Sequence, residues 1–89
     1  MPIHYRLNAA YPNPFNPVTT ISFSIPQFGL TTIIAYDITG RQLETLTNEV
    51  LSVGNYSINW DASNYPSGVY IIRMESGEFI QTQKVVMVK

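Results

Sequence analysis

The chain has 89 residues and a mass near 10.0 kDa, enough for one small domain. A chain this long buries roughly 60–65% of its extended surface, one core and no more, so separate cofactor and substrate domains are excluded. Charged residues are 12% of the total with a formal net charge of −1, which leaves no basic field for nucleic acid or an anionic membrane, and the absence of cysteine excludes disulfides, zinc ribbons and thiol chemistry.

An apolar share of 45% argues against disorder. Ile, Val and Thr contribute ten, seven and eight residues, side chains that suit a pleated surface better than a helix. Six prolines and five glycines break the chain at short intervals. An all-β fold follows.

Met1-Pro2-Ile3-His4 lacks the basic stretch and apolar run of a signal peptide. No apolar run approaches the ~18 residues of a membrane span. Residues 1–6 read as a linker end or an added start, with Met1 supplied for expression of a piece of a longer protein. Residues 7–89 read as a single domain.

Arg6 to Ala10 is at best a short first strand. Tyr11-Pro12-Asn13-Pro14-Phe15-Asn16-Pro17 follows, and its three prolines predict a rigid strap outside the ladders, anchored by Tyr11 and Phe15. Asn13 and Asn16 are expected to cap nearby backbone groups. Thr19 to Ile25 alternates Ile21, Phe23 and Ile25 with Thr20, Ser22 and Ser24, a half-buried antiparallel strand. Gln27-Phe28-Gly29 turns the chain. Thr31 to Ile38 is a more central strand, with Ile33 and Ala35 on one face and Ile34, Tyr36 and Ile38 on the other. Asp37-Ile38-Thr39-Gly40 reads as a turn held by the aspartate, with Gly40 at positive φ.

Gln42 to Thr47 is a weaker strand with Leu43 inward, and Leu51 to Asn55 a connection. Tyr56, Ile58 and Trp60 alternate with Ser57, Asn59 and Asp61. Ala62 to Ser67 is a polar loop. Gly68 to Glu75 sets Tyr70, Ile72 and Met74 on one face, and Ser76-Gly77 is read as a two-residue hairpin turn. Glu78 to Lys89 is the last strand. Its end, Val85-Val86-Met87-Val88, is apolar on both faces, so both must be covered, by the domain or by a partner. Lys84 and Lys89 bracket this segment as charged gatekeepers. Seven strands with turns every ~8–12 residues predict an immunoglobulin-like β-sandwich. The expected core is Ile21, Phe23, Ile33, Ile58, Trp60, Tyr70 and Ile72.

Chemistry-bearing residues are sparse. His4, the only histidine, lies near the terminus and reads as a bystander. Asp37 and Asp61 sit at strand exits, where carboxylates hold turns more often than calcium. Glu75 and Glu78 are expected to face each other across an exposed hairpin without a pocket. Tyr5, Tyr11, Tyr65 and Phe28 are the aromatics left over for a sugar platform, but they form no spaced set. No catalytic, metal or cofactor site emerges.

Four motifs point to one family: YPNPFNPVTTISFSIP (Tyr11 to Pro26), AYDITGRQL (Ala35 to Leu43), GNYSINWDA (Gly54 to Ala62), and SGVYIIRMESG (Ser67 to Gly77) followed by the terminal QTQKVVMVK. Together they resemble the type A C-terminal sorting domain of the type IX secretion system. A looser resemblance extends to the immunoglobulin-like domain of flagellar hook-capping proteins. The matching positions are Asn13, Pro14, Phe15, Asn16 and Pro17 in the strap, Asp37, Gly40 and Arg41 in the YD-x-x-G-R turn, and Gly68, Val69 and Tyr70 in the SGVY strand. Lys84 and Lys89 match lysines of the last strand. Ala35 stands where a larger aliphatic commonly precedes the tyrosine.

The resemblance implies a non-catalytic transport address at the end of a larger secreted protein. Its cargo, fused N-terminally, passes through the periplasm to the cell surface or medium. The implied partners are the outer-membrane translocon and its shuttle protein, and in the best-known systems a sortase-like peptidase. Partner recognition is expected at Lys84, Val85, Val86, Met87, Val88 and Lys89, on a monomer or on a weak dimer paired near that edge. The alternatives are a carbohydrate-binding module or a structural immunoglobulin-like module of a multidomain surface enzyme.

Overall fold

A computed structural model describes residues 2–89. Met1, read above as an added start, lies outside them. Seven strands form in chain order: β1 Arg6–Leu7, β2 Val18–Ile25, β3 Gly29–Asp37, β4 Gln42–Leu51, β5 Gly54–Asp61, β6 Gly68–Ser76 and β7 Phe79–Met87. One antiparallel sheet has the order β1-β2-β5 and the other β4-β3-β6-β7. The two pack face to face as the expected immunoglobulin-like sandwich. The fourth strand joins the sheet of the third, unlike the constant-type immunoglobulin arrangement.

The core follows the period of two. Ile21, Phe23 and Ile25 of β2 and Trp60 of β5 meet Ile33, Ala35, Tyr70, Ile72, Met74, Val85 and Met87 of the larger sheet, all buried. Ile58, expected among them, is only half-buried. It lies on β5, the edge of the smaller sheet, where no further strand shields it.

Three elements depart from expectation. β4 runs to Leu51, beyond the predicted Thr47. Its second half pairs Asn48, Glu49 and Val50 with β3 although most of those side chains face solvent, so no apolar alternation announces it. Two register shifts against β3 leave Leu46 and Leu43 as extra residues, and both pack on the core. The β6–β7 hairpin turns at Gly77-Glu78 rather than Ser76-Gly77. Ser76 pairs with Phe79, and its hydroxyl is buried 2.9 Å from that of Thr31. Gly77, at φ 60, is the first central residue, the position where a two-residue turn demands glycine. Glu75 therefore lies opposite Ile80, not Glu78, and its carboxylate pairs with Arg73 at 2.7 Å.

The strap also differs. Tyr11 exchanges backbone bonds with Thr20 at 3.0 Å in each direction, and Phe15 bridges to Met87. Proline removes only its own donor, so the residues between prolines still pair. The peptide bonds preceding Pro12, Pro14 and Pro17 are cis. Phe15 is the expected anchor, 2% exposed and 5.7 Å from the Trp60 ring. Tyr11 is not an anchor but is 80% exposed. Its partner Thr20 lies on the outer, polar face of β2, and directly paired residues share a face.

Candidate functional site

The sandwich has two poles along its 37 Å longest extent. At one, the N-terminal segment runs in, beside the β2–β3, β4–β5 and β6–β7 turns. Tyr5 there stacks on Phe79 with ring centroids 5.1 Å apart. At the other pole lie the strap, the β3–β4 turn, the β5–β6 loop and the end of β7. The matching positions singled out in the sequence, from Asn13 to Pro17, Asp37, Gly40 and Arg41, Gly68 to Tyr70, and Lys84 and Lys89, lie towards this second pole.

The last strand is divided by its pleat. Val85 and Met87, expected among the recognition residues, point inward, 0% and 1% exposed, and belong to the core. Lys84, Val86, Val88 and Lys89 point outward or sit at the end, Val86 half-buried and the others exposed. Its edge is closed by the strap. The Asn13 side-chain amide acts as a peptide group, accepting from Val86 N at 2.9 Å and donating through Nδ2 to the Lys84 carbonyl at 3.3 Å. Phe15 continues the pairing: its N–H donates to Val86 O and its carbonyl accepts from Val88 N, both at 2.9 Å. The strap thus occupies the edge where dimer pairing was expected. Asn16 is exposed and caps nothing among the described hydrogen bonds. Lys89 is clipped to the β5–β6 loop, its N–H on Ser67 Oγ at 3.0 Å and its Nζ on Ser63 O at 2.9 Å.

The motif positions are joined through the ladder. Asp37 lies opposite Tyr70, and Tyr70 opposite Val85. Val69 pairs with Val86, and Gly68 with Met87, which meets Phe15. Beneath this row sits an aromatic cluster. Tyr70 meets Trp60 edge-on at 5.5 Å, and Tyr65 lies 6.0 Å from Trp60. Tyr70 donates its hydroxyl to the Pro66 carbonyl, tying the start of β6 to the loop before it. Burial, reinforced by the Asp37 charge, holds that phenol above its ordinary value. Burial and then the Glu44 carboxylate do the same for Tyr65.

Asp37 builds the turn expected of it. Its Oδ1 accepts from Thr39 N at 2.9 Å, Thr39 Oγ1 at 2.5 Å and Arg41 N at 3.0 Å, and Oδ2 pairs with Arg41 Nε at 3.1 Å. Gly40 takes φ 90. The Thr39 hydroxyl, ahead of its other partners, holds the carboxyl below its ordinary value. Asp61 does likewise with Ser63, whose hydroxyl and N–H depress its pKa. These carboxylates are committed to turns. No group of three or more His, Cys, Asp or Glu that could hold a metal occurs among the described residues. The spare aromatics do not assemble: Tyr11 lies on the smaller sheet's outer face, Tyr65 is locked in the cluster, and Tyr5 and Phe28 line a recess at the far pole.

Two residues at this site escaped the sequence reading. Glu44, on the edge strand, accepts the Trp60 indole N–H at 3.4 Å and the Tyr65 hydroxyl at 3.2 Å. Gln83 ties β7 to the segment that follows β1, accepting from Ala10 N at 2.9 Å and donating to Asn8 O at 2.7 Å. A polar residue on the inward side of β7 is a signal for such a tie. It becomes readable only once the strand's facing is known.

The class is that of a small immunoglobulin-like sandwich whose strap and last strand are locked together at one pole. The chain belongs to the type IX secretion C-terminal sorting domain family: the model of the "Secretion system C-terminal sorting domain" matches residues 9–89. No curated protein and no solved structure matches it. Membership means attachment to a cargo protein and interaction with the secretion machinery that takes the cargo across the outer membrane.

Proposed function

We propose that this domain directs an N-terminally fused protein through the type IX translocon, and that the machinery reads the outward side of the last strand. The observation that carries this is the division of β7. Val85 and Met87 lock the strand in register, while Lys84, Val86, Val88 and Lys89 are left at the surface. The cargo joins at the opposite pole, so it does not obstruct that end. Recognition then needs no catalytic group, only a rigid strand end presenting two aliphatic side chains between two lysines. The translocon and its shuttle protein are the partners of this reading, and a sortase-like peptidase is a further candidate.

The experiment is a reporter carrying a periplasmic signal peptide, fused ahead of residues 2–89. In a host with the type IX system the reporter reaches the surface or medium, and in a host lacking the translocon it stays in the periplasm. Retention of the folded fusion in both hosts would refute the reading.

A further inference from the structure

The sandwich protects its sheet edges unequally. β4 is bulged twice and carries Glu44 and Glu49. β7 is closed from the Lys84 carbonyl to the Val88 amide by Asn13 and Phe15, and Lys84 itself stands beside the open part. β1 is two residues long. Short edges, bulges and charges are the usual means of preventing edge-to-edge association. β5 has none of them. It runs eight residues, Gly54–Asp61, paired with β2 without a register shift, and contains no proline, and no charged residue before Asp61.

The backbone groups left open on β5 can be assigned. Thr20 exchanges both its bonds with Tyr11, and Ser22 O accepts from Asn8 N, so the even residues of β2 face β1. The odd ones therefore face β5 and bond with Tyr56, Ile58 and Trp60. The N–H and C=O groups of Asn55, Ser57 and Asn59 then point away from the sheet, and no described backbone bond occupies them.

We infer that β5 is a self-association edge, which pairs with β5 of a second copy of this chain, antiparallel, about a two-fold axis at Ser57. The outward groups dictate the parity. Hydrogen-bonded pairs must join odd residues, so Ser57 meets its own copy and Asn55 meets Asn59 of the second copy. Every polar side chain then opposes a polar one on the outer face. On the inner face Tyr56 meets Ile58 of the second copy, an aromatic against a β-branched side chain, and both are half-buried in the single chain. Asn55 and Asn59 are already oriented, their Oδ1 atoms accepting from Ser24 Oγ at 2.6 Å and Thr20 Oγ1 at 2.8 Å. The amide N–H groups of both remain open to the second copy.

The second copy is favoured over a foreign strand by charge. Self-pairing brings like residues together, which repels wherever a strand carries charge, as β4 and β7 do. From Gly54 to Trp60, β5 carries none. The pairing also reverses the two poles, so two fused cargo domains would lie at opposite ends of a six-stranded sheet. A contact through one strand pair is small, and the dimer is weak and concentration-dependent.

Sedimentation of residues 2–89 up to about 1 mM, with amide exchange read alongside, tests this. Dimer is expected to grow with concentration, and the Ser57 amide to gain protection with it. Ser57→Lys places like charges on the axis and weakens the dimer about tenfold or more at an unchanged melting temperature. Ser57→Pro removes an outward donor and abolishes the dimer, with Ser57→Lys as the control should proline perturb folding. Three results would overturn the inference: a monomer throughout, a dimer insensitive to Ser57→Lys, or protection gained at another edge.

Discussion

Asp37 collects three hydrogen bonds and an ion pair within five residues, and its bonds to downstream backbone are those expected of an aspartate at a turn. Local chemistry of this kind is legible because donor and acceptor are fixed by the chain itself. A carboxylate held below its ordinary value of 3.8 stabilises the fold only while ionised. Its contribution is complete above that value and is lost as the pH falls through the lower folded one. Asp37→Ala should therefore melt below the unmutated domain at neutral pH, and the two should converge as the pH is lowered well beneath 3.8. Thermal scans across that range check it, and a constant gap would show that the carboxylate's charge is irrelevant to the turn. Trp60 is the opposite case, a residue whose role comes from distant partners. Buried against Phe15, Tyr65 and Tyr70, it should cost about 3–5 kcal/mol when replaced by alanine, measured by denaturant unfolding.

At the scale of elements, the strands that announce themselves are those with one wet and one dry face. β2 alternates cleanly because its inner side chains are core and its outer ones are Thr and Ser. The second half of β4 and the facing of β7 were not readable, because edge strands and two-faced apolar runs lose the alternation that marks them. The strap was legible as a unit but not in its pairing, since nothing local says that Phe15 meets Met87 across the whole length of the chain. Two substitutions separate its two roles. Phe15→Ala empties a core site and should cost about 3 kcal/mol or more, with global loss of stability. Asn13→Ala removes the two bonds to the β7 edge and should cost only about 1 kcal/mol. Amide exchange at Val86 should rise sharply in Asn13→Ala while core amides hold. Equal exchange in both proteins would mean that Asn13 does not close the edge.

For the whole molecule, the arrangement is a polar axis with the N-terminal segment at one end and the locked strap and last strand at the other. The central claim is that the outward side of that strand is read. The direct measurement is export of the reporter fusion carrying Val88→Glu, set beside the melting temperature of the same variant. Asn48→Glu, exposed on β4, serves as the matched control. Val88→Glu is expected to lose most of its export at an unchanged melting temperature, while Asn48→Glu is exported normally. Undiminished export of Val88→Glu, with its fold intact, would contradict the claim.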